Sequence, residues 1–298
     1  MAKNTSLIPC IGSVLWDFVG RHPHPMRLGD DRPGTITRQT GGVAMNVAAT
    51  LVRFGARPTV LTCIGTDRNG EELMQACRKK GVDTSMVLRR ADLPTDRYMA
   101  VEGANGLIAA IADAHSLEMA GGEILAPFRD GRLASSEAPY RGVMVLDGNL
   151  PEAVLAEIAE DPVFADADLR IVPASPGKAQ RLRPFLTAPK ATLYINREEA
   201  GLLYDTEFRS SAEAAAALVA NGSARVLVTD GARPATDASP DEVLTAHPPI
   251  VEQRCVTGAG DTFMASHIAA EAAGHKRAFA LEAALQAAAT FVSGQDIA

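Results

Sequence analysis

Short apolar runs recur along this chain, and most are followed by apolar positions at helical spacing. Ser6 to Leu15 predicts a buried first strand, and Thr59–Cys63 another, followed by a helix over Glu71–Lys80. Val143–Leu146 precedes a helical pattern at Pro151–Glu160, Arg170–Val172 precedes Ala179–Leu186, and Leu193–Ile195 precedes Arg197–Tyr204. Arg225–Thr229 follows the alanine-rich stretch Ala212–Ala220, and a second such stretch, Ala283–Ala289, lies near the end. Both read as good helix formers. Strands alternating with helices predict a mainly parallel central sheet covered on both faces, in a single α/β domain over residues 1–298.

One segment breaks this rhythm. Arg97–Glu102 and Leu107–Ala112 are strand-like runs around Ala104-Asn105-Gly106, and Asn-Gly in that place is a hairpin signal. Together with the polar stretch Gly20–Thr40, it predicts a small antiparallel flap built from about residues 18–40 and 95–113.

Composition narrows the class. The 298 residues are 47% hydrophobic, ample for a large core, and the net charge of −7 leaves no basic footprint for nucleic acid. No apolar run approaches the ~20 residues that span a bilayer. The apolar run near the N-terminus is interrupted by Pro9 and makes a poor signal peptide. Cys10, Cys63, Cys77 and Cys255 form no close pair, which suits a reducing cytosol. The expectation is a soluble, cytoplasmic protein with no membrane or nucleic-acid partner.

The most informative stretch is Thr257-Gly258-Ala259-Gly260-Asp261, which precedes a small, apolar run of helical character. Small residues let the backbone approach an anion, and the free N–H groups of a helix start attract phosphate. A carboxylate is out of place as a phosphate ligand there, so Asp261 reads as a base that takes a proton from an attacking hydroxyl. An anion cradle beside a base is the minimum apparatus for phosphoryl transfer. The alternative is a glycine-rich turn with Asp261 in a first helical turn.

A second stretch, Gly41-Gly42-Val43-Ala44-Met45-Asn46, opens a helical pattern that ends near Phe54, with Gly55 as its stop and Gly65 after the next apolar run. Gly42, Ala44, Asn46, Ala48, Gly55 and Gly65 together resemble the N-terminal signature of the ribokinase-like (PfkB) carbohydrate kinases, and Thr257–Asp261 resembles the C-terminal one. The resemblance runs from Leu7 to the last helix. It implies a three-layer α/β/α ribokinase-like domain with a small β-strand lid over the acceptor site, often also a dimer contact.

The resemblance also implies roles. Asp17, just after the first strand, would hold the acceptor with Gly41, Gly42 and Asn46, whereas alone it reads as a turn residue. Asp261 would be the base, with the N–H groups of Gly258, Ala259 and Gly260 as the anion hole. Asn196-Arg197-Glu198-Glu199 resembles the family's Asn-x-x-Glu motif, which would place Glu199 on Mg²⁺ through water; the alternative is an acidic first helical turn. Thr229-Asp230-Gly231 resembles the loop against ATP, with adenine near Ala284–Ala288. Cofactor contacts therefore fall on Asn196, Thr229, Gly231, Gly258 and Gly260.

Other candidates read as structural. Lys178 has no Walker-type glycines before it and reads as a solvated helix-start residue. His22 and His24 lack a third ligand, His115 and His267 read as structural, and Trp16 as core or pocket wall. The C-terminal signature departs at Cys255 and Val256, where the family usually has Asp then Thr. This leaves a monovalent-cation requirement open, and Ser266 is a small change. The same departure, the Thr95–Asp113 segment with Tyr98, and Asn196–Glu199 resemble the pseudouridine kinase branch. The expected activity is thus ATP-dependent phosphorylation of a ribosyl hydroxyl, pseudouridine first. Alternatives are ribose, adenosine, fructose or a 2-keto-3-deoxy sugar acid, the last served by Arg38 or Arg97, or a non-catalytic sugar or nucleotide sensor.

Overall fold

The computed structural model describes residues 7–254 and 257–295. Strands and α-helices are numbered in chain order. The main sheet holds β1 (Leu7–Ile11), β4 (Arg57–Leu61), β9 (Val143–Asp147), β10 (Asp168–Val172), β11 (Ala191–Asn196) and β12 (Arg225–Asp230), all parallel. It continues into antiparallel β13 (Arg233–Ala238) and β14 (Val243–Ala246). Its order is β14-β13-β12-β11-β10-β9-β1-β4. This is the mainly parallel arrangement that the strand–helix alternation predicts, and it agrees with the ribokinase-like domain that the resemblance implies.

Each buried strand feeds two cores, because successive side chains point to opposite faces. Met144, Leu146, Leu169, Ile171, Leu193, Ile195, Val226 and Val228 join one core. It is covered by α3 (Ser116–Ala120), α4 (Glu152–Glu160), α5 (Arg197–Tyr204) and α6 (Ser211–Ala220). Val145, Val172, Tyr194 and Leu227 join the other, under α1 (Val43–Arg53), α2 (Arg68–Lys79), α7 (Ala259–Ala272) and α8 (Arg277–Val292).

A second sheet, in the order β3-β2-β7-β8, is built from β2 (Leu15–Arg21), β3 (Thr35–Gly41), β7 (Arg97–Gly103) and β8 (Gly106–Asp113). The hairpin at Ala104-Asn105-Gly106 is present, with Gly106 at φ 98°. β5 (Cys63–Gly65) and β6 (Leu88–Arg90) form a small parallel pair.

Three readings of the sequence need correction. The first strand is cut after Ile11, and the chain leaves the main sheet to begin β2 at Leu15; Ser6 lies outside the described residues. A side chain at Gly12 would meet Asp147 Cβ at 2.2 Å, so this exit runs against the next strand. Ala179–Leu186 is not an α-helix: Pro176–Phe185 winds as 3₁₀, because Pro184 removes a donor and clashes with an α ladder. β13 and β14 escape the apolar pattern because β13 reads RPATDA and buries Thr236 and Asp237 between the small residues Ala235 and Ala238.

Candidate active site

The loops after β1, β9, β10, β11 and β12 all emerge at the carboxyl edge of the parallel strands. From β1 the chain steps to β4 on one side and later to β9 on the other, so the order reverses between β1 and β9. Ligand crevices open at such a switch point.

Asp17 sits one step above this crevice, inside β2 rather than at the end of a main-sheet strand. It registers with Gln39 and Tyr98. A Cβ at Gly41 would fall 2.0 Å from Asp17 Oδ2, so the carboxylate occupies the space above that glycine. Gly42 has φ 94°, and a Cβ there would lie 2.3 Å from the Ser13 carbonyl oxygen. Only glycine meets both demands while starting α1. Arg38 and Arg97 register with Phe18 and Trp16, on the sheet face opposite Asp17. Arg38 stacks over Trp16 at 3.7 Å and pairs with Glu72, and Arg97 pairs with Asp113. Neither arginine shares the face of Asp17, which removes them as partners of an acidic sugar beside it.

Asn46 lies one turn into α1, and its Nδ2 donates to Asp261 Oδ2 at 2.9 Å across 215 residues of sequence. Asp261 is in the first turn of α7 and is buried. Gly258 is the N-cap in the left-handed region (φ 95°), no side chain caps that end among the described residues, and the helical ladder begins with Thr262 N donating to Gly258 O. The amides of Ala259, Gly260 and Asp261 therefore precede the ladder at the positive end of the dipole. Cys255 and Val256, where the C-terminal signature departs, lie outside the described residues.

The electrostatics are those of crowded acids. Burial pushes the Asp261 carboxyl up to about 7; Asp147, Asp17 and Glu199 add repulsion, and the Asn46 hydrogen bond opposes it. Burial likewise raises Asp17 to about 6, opposed by Lys80, and Glu199 to about 7, opposed by the Asn196 amide. Carboxylates held at raised values in one crevice suit a site that later receives cations or exchanges protons.

Asn196 and Glu199 form a capping box on α5. Glu199 N donates to Asn196 Oδ1 and Asn196 N donates to Glu199 Oε2, both at 2.8 Å. This uses one oxygen of each side chain and leaves Glu199 Oε1 for a further partner. The register of β11 on β12 sets Asn196 beside Thr229. Asp230 is tied to Arg197 and Arg233 at 3.0 Å, which draws the Thr229-Asp230-Gly231 turn against α5. Thr229, Gly231, Ala259 and Gly260 line a cleft of about 210 Å³ with Pro248, Ile250, Leu285 and Ala288. Ala284, expected near adenine, is instead wholly buried in the core, and the cleft wall from α8 is Leu285, Ala288, Ala289 and Val292.

Several residues went unread in the sequence. Asp147 ends β9 with no exposure and accepts from Ser13 N, Ser13 Oγ and Asn149 N at 2.8, 2.5 and 2.7 Å. An Asp closing an apolar strand before Gly148 was the available signal, the same one that marked Asp17. Ser13 Oγ in turn accepts from Val43 N at 3.0 Å, tying the crevice to the start of α1. Lys178 is half-buried rather than solvated, with Nζ donating to Asn149 Oδ1 at 2.6 Å. His267 is fully buried against Tyr194 and held neutral, burial pushing it down to about 4; His115 is exposed. Among the described residues no group of three or more His, Cys, Asp or Glu is arranged to hold a metal, which leaves the His22 and His24 pair without a third ligand. Trp16 is buried, its Nε1 donating to Asn69 O at 2.9 Å.

Comparison with known proteins agrees with this geometry. The model of the pfkB family carbohydrate kinases matches residues 5–296. The chain belongs to that family. A carbohydrate kinase from Agrobacterium tumefaciens superimposes with a TM-score of 0.79 at 27% identity, covering 98% of this chain and 94% of that one. Ribokinase from Thermotoga maritima shares the fold, with a TM-score of 0.74 at 22% identity and coverage of 97% and 93%. Among curated relatives, the uncharacterized sugar kinase YeiI of Escherichia coli is 31% identical over 161 residues, 52% of this chain and 43% of that protein. The pseudouridine kinase of Escherichia coli is 29% identical over 206 residues, 67% of this chain and 62% of that protein. The match thus spans about half the length of these two curated relatives. No helix among the described residues is long and apolar enough to cross a membrane.

Proposed function

We propose that this pfkB-family protein is an ATP-dependent kinase that phosphorylates a primary hydroxyl of a ribosyl compound, with pseudouridine the first acceptor to test. The observation that carries this reading is the Asn46–Asp261 contact at the start of α7, between the Asp17 crevice and the Thr229–Gly260 cleft. The acceptor hydroxyl sits against Asp261, which takes its proton as the oxygen attacks the γ-phosphorus. Asn46 orients that carboxylate, and Asp17 and the Gly41–Gly42 backbone hold the sugar. The amides of Ala259 and Gly260, with the Gly258 turn, stabilise charge on the transferred group. Pseudouridine comes from the resemblance of the signatures and from the pseudouridine kinase relatives.

The donor set fits Mg²⁺ held mainly by nucleotide phosphates and waters: Glu199 offers one oxygen beyond its cap bond, and no all-protein cage stands nearby among the described residues. When bound, the ion neutralises phosphate charge, with Glu199 and Asn196 on its water shell.

The β2-β3-β7-β8 sheet serves as a lid in this reading, and its outer face as a dimer contact. Ile36, Met99 and Ile111 are exposed there on one face, next to Val101. Solvated apolar rows of this kind mark contact surfaces.

The test is ADP release with Mg-ATP across pseudouridine, uridine, adenosine, ribose, fructose and 2-keto-3-deoxygluconate, with Asp261→Asn as control. Turnover on pseudouridine, abolished in the control, supports the reading; turnover on another member keeps the mechanism and replaces the acceptor; ATP binding with no turnover on any member overturns it.

A further inference from the structure

A lysine stands in the switch-point crevice, and among the described residues no carboxylate lies within ion-pair distance of it. Lys178 lies on the 3₁₀ segment after β10, and its ammonium donates to Asn149 Oδ1 at 2.6 Å. Among the described residues it makes no ion pair and no second hydrogen bond, so two of its three donors are uncommitted. Asn149 is itself fixed: its Nδ2 donates to Ser13 Oγ at 3.1 Å and lies 3.4 Å from Asp147 Oδ2, while Arg181 Nη1 donates to the carbonyls of Asn149 and Leu150. The turn that carries it packs closely on the next loop, where a side chain at Gly148 would meet Pro173 Cα at 2.8 Å. Gly177, beside the lysine, is exposed, and a Cβ there would meet no described atom within 4 Å. Asp147, Glu118 and Arg181 are the charged groups around the ammonium, and burial with Arg181 holds it below the usual lysine range.

A cation that has lost part of its solvent and has no anion partner is costly unless a ligand supplies an oxygen. The sheet order locates that ligand. Asn149 and Ser13 follow β9 and β1, and β9 is three strands from β12, about 14 Å from the cleft loop at Thr229. The lysine is tied to the crevice side of the site, not to the nucleotide side.

We propose that Lys178, seated by Asn149, is a specificity-determining residue that donates to an oxygen on the part of the acceptor remote from the attacking hydroxyl, a ring carbonyl or a carboxylate. This inference rests on the kinase reading above. Lys178→Met keeps the aliphatic stem, and Lys178→Arg keeps the charge.

The experiment measures KM and kcat of wild type and both variants with pseudouridine, 2-keto-3-deoxygluconate, ribose and ATP. Lys178→Met raises KM about tenfold or more for whichever oxygen-bearing acceptor wild type uses, as expected for a lost hydrogen bond to a charged group. It leaves kcat, KM for ATP and any turnover of ribose within about twofold, and Lys178→Arg restores part of the loss. A defect confined to pseudouridine assigns a carbonyl, and one confined to the sugar acid assigns a carboxylate. An equal defect on ribose, a rise in KM for ATP, a fall in kcat alone, or no change overturns the proposal. If wild type turns over no acceptor, the kinase reading fails, and the rise in Tm produced by pseudouridine or the sugar acid still tests Lys178. Loss of that rise in Lys178→Met, with an unchanged ligand-free Tm, supports it, and its retention overturns it.

Discussion

Asn46 and Asp261 are 215 residues apart in sequence, and in the folded protein the Asn46 amide donates to the Asp261 carboxylate at 2.9 Å. The bond joins the starts of α1 and α7, the two helices opened by the glycine motifs. Among the described residues it is the hydrogen bond that counters the burial and repulsion raising the Asp261 carboxyl. In the proposed reaction it both aims the base and keeps it ionised.

Asp261→Asn should lower kcat by two orders of magnitude or more, the usual worth of a positioned base, while leaving acceptor affinity nearly unchanged. The amide still accepts from Asn46, so the local geometry survives. Parallel turnover and calorimetric binding measurements decide the matter, and a variant with near-wild-type kcat would remove Asp261 from the base role.

The acid limb of kcat/KM should fall near pH 7, because Asp261 must lose its proton to act and its carboxyl stands at about 7 in the free protein. Asn46→Ala removes a stabiliser of the charged form. At about 1 kcal/mol per hydrogen bond, the limb should move up by roughly 0.7 pH unit. A downward or absent displacement in the pH–rate profile contradicts the assignment.

Stability should carry the same signature with the opposite benefit. A carboxyl raised from 3.8 to about 7 binds its proton more tightly folded than unfolded, so it costs nothing below pH 4 and destabilises the folded state progressively as pH rises to 7. Asp261→Asn should therefore be more stable than wild type at pH 8, by up to about 4 kcal/mol, and should lose that advantage by pH 4. Urea unfolding at the two pH values measures it.

The sheet β2-β3-β7-β8 should mediate self-association. Met99 and Ile111 are opposite each other in the register and 55% and 69% exposed, so an Asp–Lys pair placed there pairs across the strands, keeps the sheet intact and spoils an apolar contact. Met99→Asp with Ile111→Lys should leave the Tm of the fold intact and halve the mass seen by light scattering. A wild-type protein that is monomeric at micromolar concentration rejects the dimer.

Beneath α7 lies a buried ionic cluster. Glu271 accepts from Arg170 at 2.5 Å and from Arg225 at 2.6 Å, and Asp237 accepts from Arg225 and Arg277. Glu271→Ala would deprive the buried Arg170 and the half-buried Arg225 of a carboxylate and should cost about 3 kcal/mol in urea unfolding. A loss below about 0.5 kcal/mol would mean that Asp168 and Asp237 suffice for the arginines.

The strand–helix alternation, the Asn-Gly hairpin and the two glycine motifs were legible because each is local. Period-2 and helical patterns lie within single elements, and Gly42 and Gly258 announce backbone angles that other residues avoid. What only the tertiary structure decided is everything that depends on register and strand order. Asp17 belongs to the second sheet because the chain leaves the main one after Ile11, and Arg38 and Arg97 face away from it because a one-residue step inverts the side. Asp147, Asn149 and Lys178 became one cluster with Ser13 only when β10 was set beside β9 and β9 beside β1. The ionic cluster replaced the apolar pattern of β13, so charge pairing hid that strand from any hydropathy reading. Local chain stiffness and burial period are written in consecutive residues, whereas the crevice is assembled from loop ends whose only connection is the sheet that carries them.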